Sequence, residues 1–395
     1  MSISIVSSLP ALLPVNNSDV VIVSSDLTAS ANFRYICDVS GATASARLKC
    51  DKLPTTNYGF FGVNKVVETL IAPKVPQLTS GWQDGGYAVK ANLTFREEYG
   101  SPPAVATATV TASLIAWQAG FRQQNYFAYD SINYYAETTN TDLVNSKIIS
   151  NRPVSATLRA TDSDFLGMVM NDANVTGVCL RVTYDGGVSR SPFEVSGSVS
   201  GCASIINAGP GGLFNLTAAQ CSDGQGGSAF FPAQNGTIVI QGTFNAAGNT
   251  VGHSRTYAYH YTIDNCERYD QLRVFFRNMY GGIDGYTFTK KNRQSVNVNR
   301  QTYGYNSSVY GDDRYDKQWN ITYRDTYTLQ SDWLTDAEFV WLQEMIYAPE
   351  CWMQLGSALV PIIVQTNTYT IRTRNNDQLQ TITVDVQIAY ENTSL

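Results

Sequence analysis

The chain has 395 residues, which is long for a single small core, so roughly two to four domains are expected. Only 15% of the residues are charged, against about 25% in an average soluble domain, while 12% are aromatic and Tyr alone occurs 24 times. A net charge of -6 argues against a large phosphate-binding surface, because duplex binding needs clustered Lys and Arg. Tyr, Thr and Val suit half-buried pleated surfaces, which favours a mainly β chain. Few charges with many Tyr also suit a face that contacts other protein.

The opening residues, Met1-Ser-Ile-Ser-Ile-Val, have no basic residues before their apolar part and lack a signal-peptide pattern. Val20 to Ser24 reads as a short strand. Phe33, Tyr35 and Cys37 alternate with Arg34, Ile36 and Asp38, which is the period of a strand. Ser40-Gly41 makes a turn, and Ala44 to Lys49 returns. In "GVNKVVETLI", Val63, Val66, Val67 and Leu70 fall on one helical face, and Pro73 and Pro76 close the segment.

From Tyr87 the alternation is clean. Tyr87, Val89, Ala91, Leu93 and Phe95 point one way, and Ala88, Lys90, Asn92, Thr94 and Arg96 the other. "AVATATVTASLIAW" is a second β run. "TDSDFLGMVM", Thr161 to Met170, is expected to form a short helix capped by Thr161 or Ser163. "GVCLRVTYDGG" predicts a strand followed by an Asp185-Gly186 hairpin turn. In "RTYAYHYTI", Tyr257, Tyr259 and Tyr261 share a face.

"LRVFFRNMYGGIDGYTF" reads as strand, Gly281-Gly282 turn, strand. Residues 335–347 are the best-specified helix. Thr335 and Glu338 form a T-x-x-E capping box, Phe339, Leu342, Met345 and Ile346 make the apolar stripe with Trp341 beside it, and Pro349 ends it. After a turn at Asn375-Asn376-Asp377, Ile382, Val384, Val386, Ile388 and Tyr390 line one side of a last strand. The expected architecture is mainly β: several β-sandwich-like domains, a few short helices, and one capped helix in a C-terminal α+β domain. Composition breaks near Pro73 to Gly86, Asp172 and Asp264 divide it into 1–80, 81–172, 173–264 and 265–395.

Candidate chemistry is sparse. The seven cysteines show no C-x-x-C spacing, so neither a zinc site nor a dense disulfide framework is expected; Cys37 and Cys50 flank a hairpin that can bring them near each other, and two buried free thiols are favoured over a pair. His253 and His260 have no G-x-S-x-G partner motif. Glu97 and Glu98 are adjacent, and strand neighbours point to opposite faces, so they are not expected to act as an acid–base pair. Asp312, Asp313 and Asp316 lack calcium-loop spacing, and the Gly-rich run Asp223 to Ser228 has no phosphate-loop Lys. Lys290, Lys291 and Arg293 form an isolated basic run, read as a solvated loop. No metal and no cofactor are expected. Trp82, Trp117, Tyr126, Phe127, Tyr129, Tyr134 and Tyr135 are the candidate interface or glycan-stacking aromatics.

Several stretches resemble a family of virion structural proteins encoded among the tail and morphogenesis genes of phages and prophages of Bacteroidetes hosts, including crAss-like phages. "NFRYICDVSG" and "YGFFGVNKVVETLI" are similar to its opening β domain, and "FREEYG" and "IISNRP" to its middle landmarks. "CERYDQLRVFFRNMYGGIDGYTF", "SDWLTDAEFVWLQEMIYAPECWMQ" and "LVPIIVQTNTYTIRTRNNDQLQTITVDVQIAYE" resemble its closing segment, and 173–264 fits least well. The resemblance implies a non-enzymatic component of the tail, baseplate or neck, a homo-oligomeric ring or collar that contacts other virion proteins and assembles in the host cytoplasm. No catalytic residues carry over. The alternative expectations are a carbohydrate-binding or host-receptor module of the tail and, behind it, a polysaccharide-degrading enzyme. Neither nucleic acid binding nor membrane insertion is expected.

Overall fold

The computed structural model describes residues 3–41, 44–78, 81–130, 135–136, 149–170, 175–184, 193–195, 197–198, 202–226, 236–246, 250–253, 257–264, 269–306, 314–366 and 380–394. It is mainly β, built from several sheets with a few short helices, as the sequence predicts. The chain divides into two compact units. The first comprises Met1–Ser150, Val154–Ile263 and Met279–Gly282; the second comprises Asn151–Pro153, Asp264–Asn278 and Ile283–Leu395.

The first unit holds two sheet pairs. In one, strands Ile3–Ser7, Val21–Ser25 and Gly59–Phe61 form a small antiparallel sheet. Its larger partner runs in the order Leu12–Pro14, Val110–Trp117, Ala88–Tyr99, Arg34–Ser40, Ser45–Asp51. Val21, Val23 and Phe61 from the first sheet share a core with Tyr35, Cys37, Leu93 and Phe95 from the second. The short helix Asn64–Glu68 adds Val63 and Val67 to that core, the face its sequence spacing predicts. Alternation holds from Lys90 to Phe95, with Ala91, Leu93 and Phe95 buried and Lys90 and Asn92 exposed, but at the start of the run Ala88 is buried beside Tyr87 and Val89 is half-buried.

In the second pair, one sheet has the order Tyr135–Ala136, Phe165–Met170, Ala203–Asn207, Trp82–Asp84, Gly197–Ser198. The other has the order Ser155–Leu158, Tyr257–Ile263, Gly236–Ala246, Val175–Tyr184, Phe193–Val195. Trp82, Leu166, Met168 and Ile206 meet Leu180, Val182, Phe193, Tyr259 and Tyr261 between them. The helix expected over Thr161 to Met170 is a strand instead, from Phe165 to Met170, paired antiparallel with Ala203–Asn207. Its residues from Phe165 to Val169 are all buried, and a continuous apolar run of this length fits a strand covered on both faces. Gly167 fits because a Cβ there would meet Ile149 Cδ1 at 2.5 Å.

These pairings redraw the expected boundaries. The 80/81 division is crossed by the pairing of Arg34–Ser40 with Ala88–Tyr99, and the 172/173 division by one sheet pair that draws strands from both sides. The division near Asp264 coincides with a boundary between the two units.

The second unit is one antiparallel sheet in the order Ile283–Phe288, Leu272–Arg277, Cys351–Leu355, Ala358–Val364, Thr383–Ile388, Arg314–Gln330, Arg293–Asn306. The predicted helix is present as Asp336–Leu342, tightening into a 3-10 turn over Gln343–Met345. Its capping box is made: Thr335 Oγ1 accepts from the Glu338 N–H at 3.3 Å, and Glu338 Oε2 accepts from the Thr335 N–H at 2.9 Å. Phe339, Leu342 and Met345 pack against Val274, Phe276, Met353, Val384 and Val386 of the sheet. The predicted core side of the last strand holds at Ile382, Val384 and Val386, whereas Tyr390 is exposed.

Candidate interaction surfaces

The predicted aromatic set is largely internal. Trp82 lies in the core of the second sheet pair, and Trp117 is 0% exposed at the end of its strand. The expectation that these two tryptophans present a contact face is corrected: Trp82 faces the core between its two sheets, and Phe121 and Tyr280 cover Trp117. Trp117 stacks on Tyr280 with centroids 6.5 Å apart and also packs on Phe121; Phe121 in turn meets Tyr129 at 4.8 Å. Tyr126 and Tyr129 are half-buried and stacked at 5.6 Å. Their hydroxyls are tied down, Tyr126 donating to Asp19 and Tyr129 to the Leu12 carbonyl at 2.6 Å. Burial first, and then Asp19, pushes the Tyr126 hydroxyl pKa up. Among the described rings of the predicted stretch, Phe127 is the exposed one. Tyr134 lies outside the described residues; Tyr135 sits on a described strand, but its side chain lies outside the description.

The other predicted groups are also accounted for. Glu97 and Glu98 lie on opposite faces of Ala88–Tyr99, as alternation demands. Glu98 is bridged by Lys49 at 2.9 Å, while Glu97 is wholly buried opposite Tyr35, with neither carboxylate oxygen hydrogen-bonded among the described residues. His260 sits on strand Tyr257–Ile263, and its N–H donates to the Val154 carbonyl at 2.8 Å. His253 is placed on strand Thr250–His253, and its side chain is outside the description. Asp312 and Asp313 are outside the described residues, and Asp316 is located only by its strand register, opposite Gly304. Asp223 accepts from the Gln225 N–H at 3.1 Å in a tight turn. Among the described residues no group of three or more His, Cys, Asp or Glu is placed to hold a metal.

Cys37 and Cys50 are free thiols. Cys50 faces Tyr35 and Cys37 faces Leu48, two register positions apart with Ile36–Lys49 between, and Cys37 is buried as expected whereas Cys50 is half-buried. Burial pushes the Cys37 and Cys351 thiols up to about 12, opposite to the lowered values of reactive cysteines.

Two features escaped the sequence reading. The first is a buried polar stripe: Arg273, Phe275 and Arg277 alternate with Val274 and Phe276 on Leu272–Arg277. Arg273 donates to Thr287 Oγ1 at 2.8 Å, Arg277 pairs with Glu350 at 2.7 Å, and Asp284 accepts from Trp341 Nε1 at 2.8 Å and Asn278 Nδ2 at 3.0 Å.

The second is an uncovered ribbon. Strands Arg293–Asn306 and Arg314–Gln330 pair antiparallel, and among the described residues Arg293–Asn306 is the sheet's outer strand. Every residue from Arg293 to Gly304 is exposed, so both faces of that strand are open. The register slips between Asn299 and Gln301, opposite Asn320, which has the left-handed φ of 46°. Such a bulge bends and twists a ribbon. Beyond it, the pairs from Gln301–Trp319 to Asn306–Arg314 have no third strand among the described residues. Tyr303 and Trp319 are exposed there, as are Val296 and Val298 nearer the sheet. The basic run read as a solvated loop is the root of this ribbon, where Lys290 pairs with Asp332 at 2.9 Å. The missed signal was present in "RQSVNVNRQTYGYN", which has no Leu, Ile or Phe to bury.

No family model matches the sequence, and no curated protein matches it.

Proposed function

We propose that the chain is a structural, non-catalytic subunit of a tailed-phage particle, in the tail, baseplate or neck, and that it works by packing against copies of itself and other virion proteins. The observation that carries this reading is the open ribbon of Arg293–Asn306 and Arg314–Gln330. An outer strand with exposed apolar side chains is a template for pairing with another chain, and natural monomers blunt such edges. A two-stranded ribbon is at best marginally stable alone in water, so its distal part gains most from a partner. The charge-poor, Tyr-rich composition supports the same reading. The resemblance of the closing segment to virion proteins supplies the particle.

The test is sedimentation of the purified full chain over a range of concentrations, with mass spectrometry of purified virions. Association, and presence in virions at fixed stoichiometry, is expected. A chain that stays monomeric and is missing from virions would refute the proposal. The glycan-binding alternative no longer has Trp82 and Trp117 as surface residues. Its remaining test is a glycan array with Trp319→Ala and Trp333→Ala, the two exposed tryptophans.

A further inference from the structure

We propose that the ribbon of one copy docks on the outer face of the capped helix of a second copy. This rests on the assembly reading above and names its contact. Helix Asp336–Leu342 buries Phe339 and Leu342 and leaves the opposite side open. Val340 on the helix is 52% exposed, and Trp333, just before the Thr335 N-cap, and Tyr347, just after the 3-10 turn, are 63% and 48% exposed. Asp336, four residues before Val340 and so on its side of the helix, is exposed, and Asp332 and Glu338 lie near it in sequence.

The two surfaces are complementary in charge. The ribbon strands carry Arg293, Arg300, Arg314, Lys317 and Arg324 against Asp316 and Asp325, a net positive charge. The helix side carries Asp332, Asp336 and Glu338 with no Lys or Arg in residues 331–371, while Glu344 is buried and Glu350 is paired with Arg277. Each surface also offers exposed apolar groups, Val296, Val298, Tyr303 and Trp319 on the ribbon against Trp333, Val340 and Tyr347 on the helix side. An apolar centre with a charged rim is the anatomy of a specific interface, and opposite charge fixes which patch meets which. The Lys290–Asp332 pair shows the two charge types already matched at the ribbon's root within one chain. Two ribbons would instead oppose cation to cation, and two helix faces acid to acid. The contact therefore joins unlike patches, the arrangement that propagates around a ring when its rotation closes.

The test is charge reversal in the full chain, read by sedimentation. Arg300→Glu and Asp336→Arg each place like charges across the contact. Each is expected to weaken self-association by about tenfold, and raised salt to weaken that of the wild type. An equimolar mixture of the two variants restores opposite charge at every contact, and association is expected to recover. Both sites are exposed, and circular dichroism checks that the fold is retained. Hydrogen exchange of the wild-type chain at low and high concentration gives an independent readout, with protection expected over both 293–304 and 333–347. Association that is unaffected by either reversal, or protection confined to other segments, would overturn this contact and leave the assembly reading standing. A wild-type chain that never associates and is missing from virions would overturn both.

Discussion

Replacing Asp284 tests what clamps the capped helix to its sheet. Asp284 is 1% exposed on strand Ile283–Phe288, and its Oδ2 accepts from Trp341 Nε1 at 2.8 Å and Asn278 Nδ2 at 3.0 Å. Trp341 comes from the helix, so the bond links helix to hairpin while its ring packs on Phe276 and Tyr286. Asp284→Ala leaves two buried donors without this acceptor, at about 1–3 kcal/mol each. The carboxylate's own desolvation cost, relieved in the variant, offsets part of that. We expect a net loss of about 3 kcal/mol, a large part of a typical stability of about 5–15 kcal/mol. Trp341→Phe keeps most of the ring and removes only the N–H, for about 1.5–3 kcal/mol, since the bond is to a charged acceptor. Because the two changes break the same bond, the double variant should cost less than the sum by about 1 kcal/mol or more. Urea unfolding followed by tryptophan fluorescence measures the losses, and hydrogen exchange at amides 336–345 localises them to the helix. A cost for Asp284→Ala under about 1 kcal/mol, or additivity of the pair, would refute the view that this bond holds the helix in place.

Three further outcomes are expected. Thr335→Ala removes the capping box and should cost about 1 kcal/mol, seen as faster exchange in the helix's first turn with the sheet amides unchanged. Alkaline pH should destabilise the fold. Cys37 and Cys351 rise from 9.0 to about 12, and Tyr35 from 10.0 to about 12, mainly by burial. Raised values favour the protonated fold, so this stability is complete below pH 9 and is lost towards pH 12. Unfolding free energy should then fall by up to about 1.4 kcal/mol per pH unit for each such group, and a flat profile across that window would contradict the burial. Glu97→Leu should raise the melting temperature. It replaces a wholly buried carboxylate, lacking a hydrogen-bond partner among the described residues, with a side chain suited to the face it shares with Phe95, and a drop in melting temperature would show that Glu97 has a structural partner.

What was legible in the sequence was local. Strand alternation from Lys90 to Phe95, the Thr335–Glu338 box and the core side of Ile382, Val384 and Val386 are properties of a few consecutive residues, and each holds in the structure. The same alternation correctly separated Glu97 from Glu98. What was missed depended on distant partners. Phe165–Met170 looked helical because Thr161 and Ser163 resemble caps, but its pairing strand, Ala203–Asn207, lies far along the chain. Trp82–Asp84 sits beside that same distant strand, so no composition break near residue 80 could locate a boundary between domains.

The tryptophans show why composition alone could not assign the surface. Trp82, Trp117 and Trp319 all lie within β runs, and local propensity treats them alike. What differs is what packs over each one. Trp117 is paired with Ala88, on the side of its sheet away from the Leu93 and Phe95 core, and it is buried because Phe121 and Tyr280 pack over it. Trp319 is paired with Gln301 beyond the last position where a third strand pairs among the described residues, so the ring stays exposed. A large ring kept on an uncovered ribbon is costly to a monomer's solubility, whereas beside a second copy it becomes contact area. What favours the proposed assembly is where the sheet stops being covered rather than how many aromatic residues the chain contains.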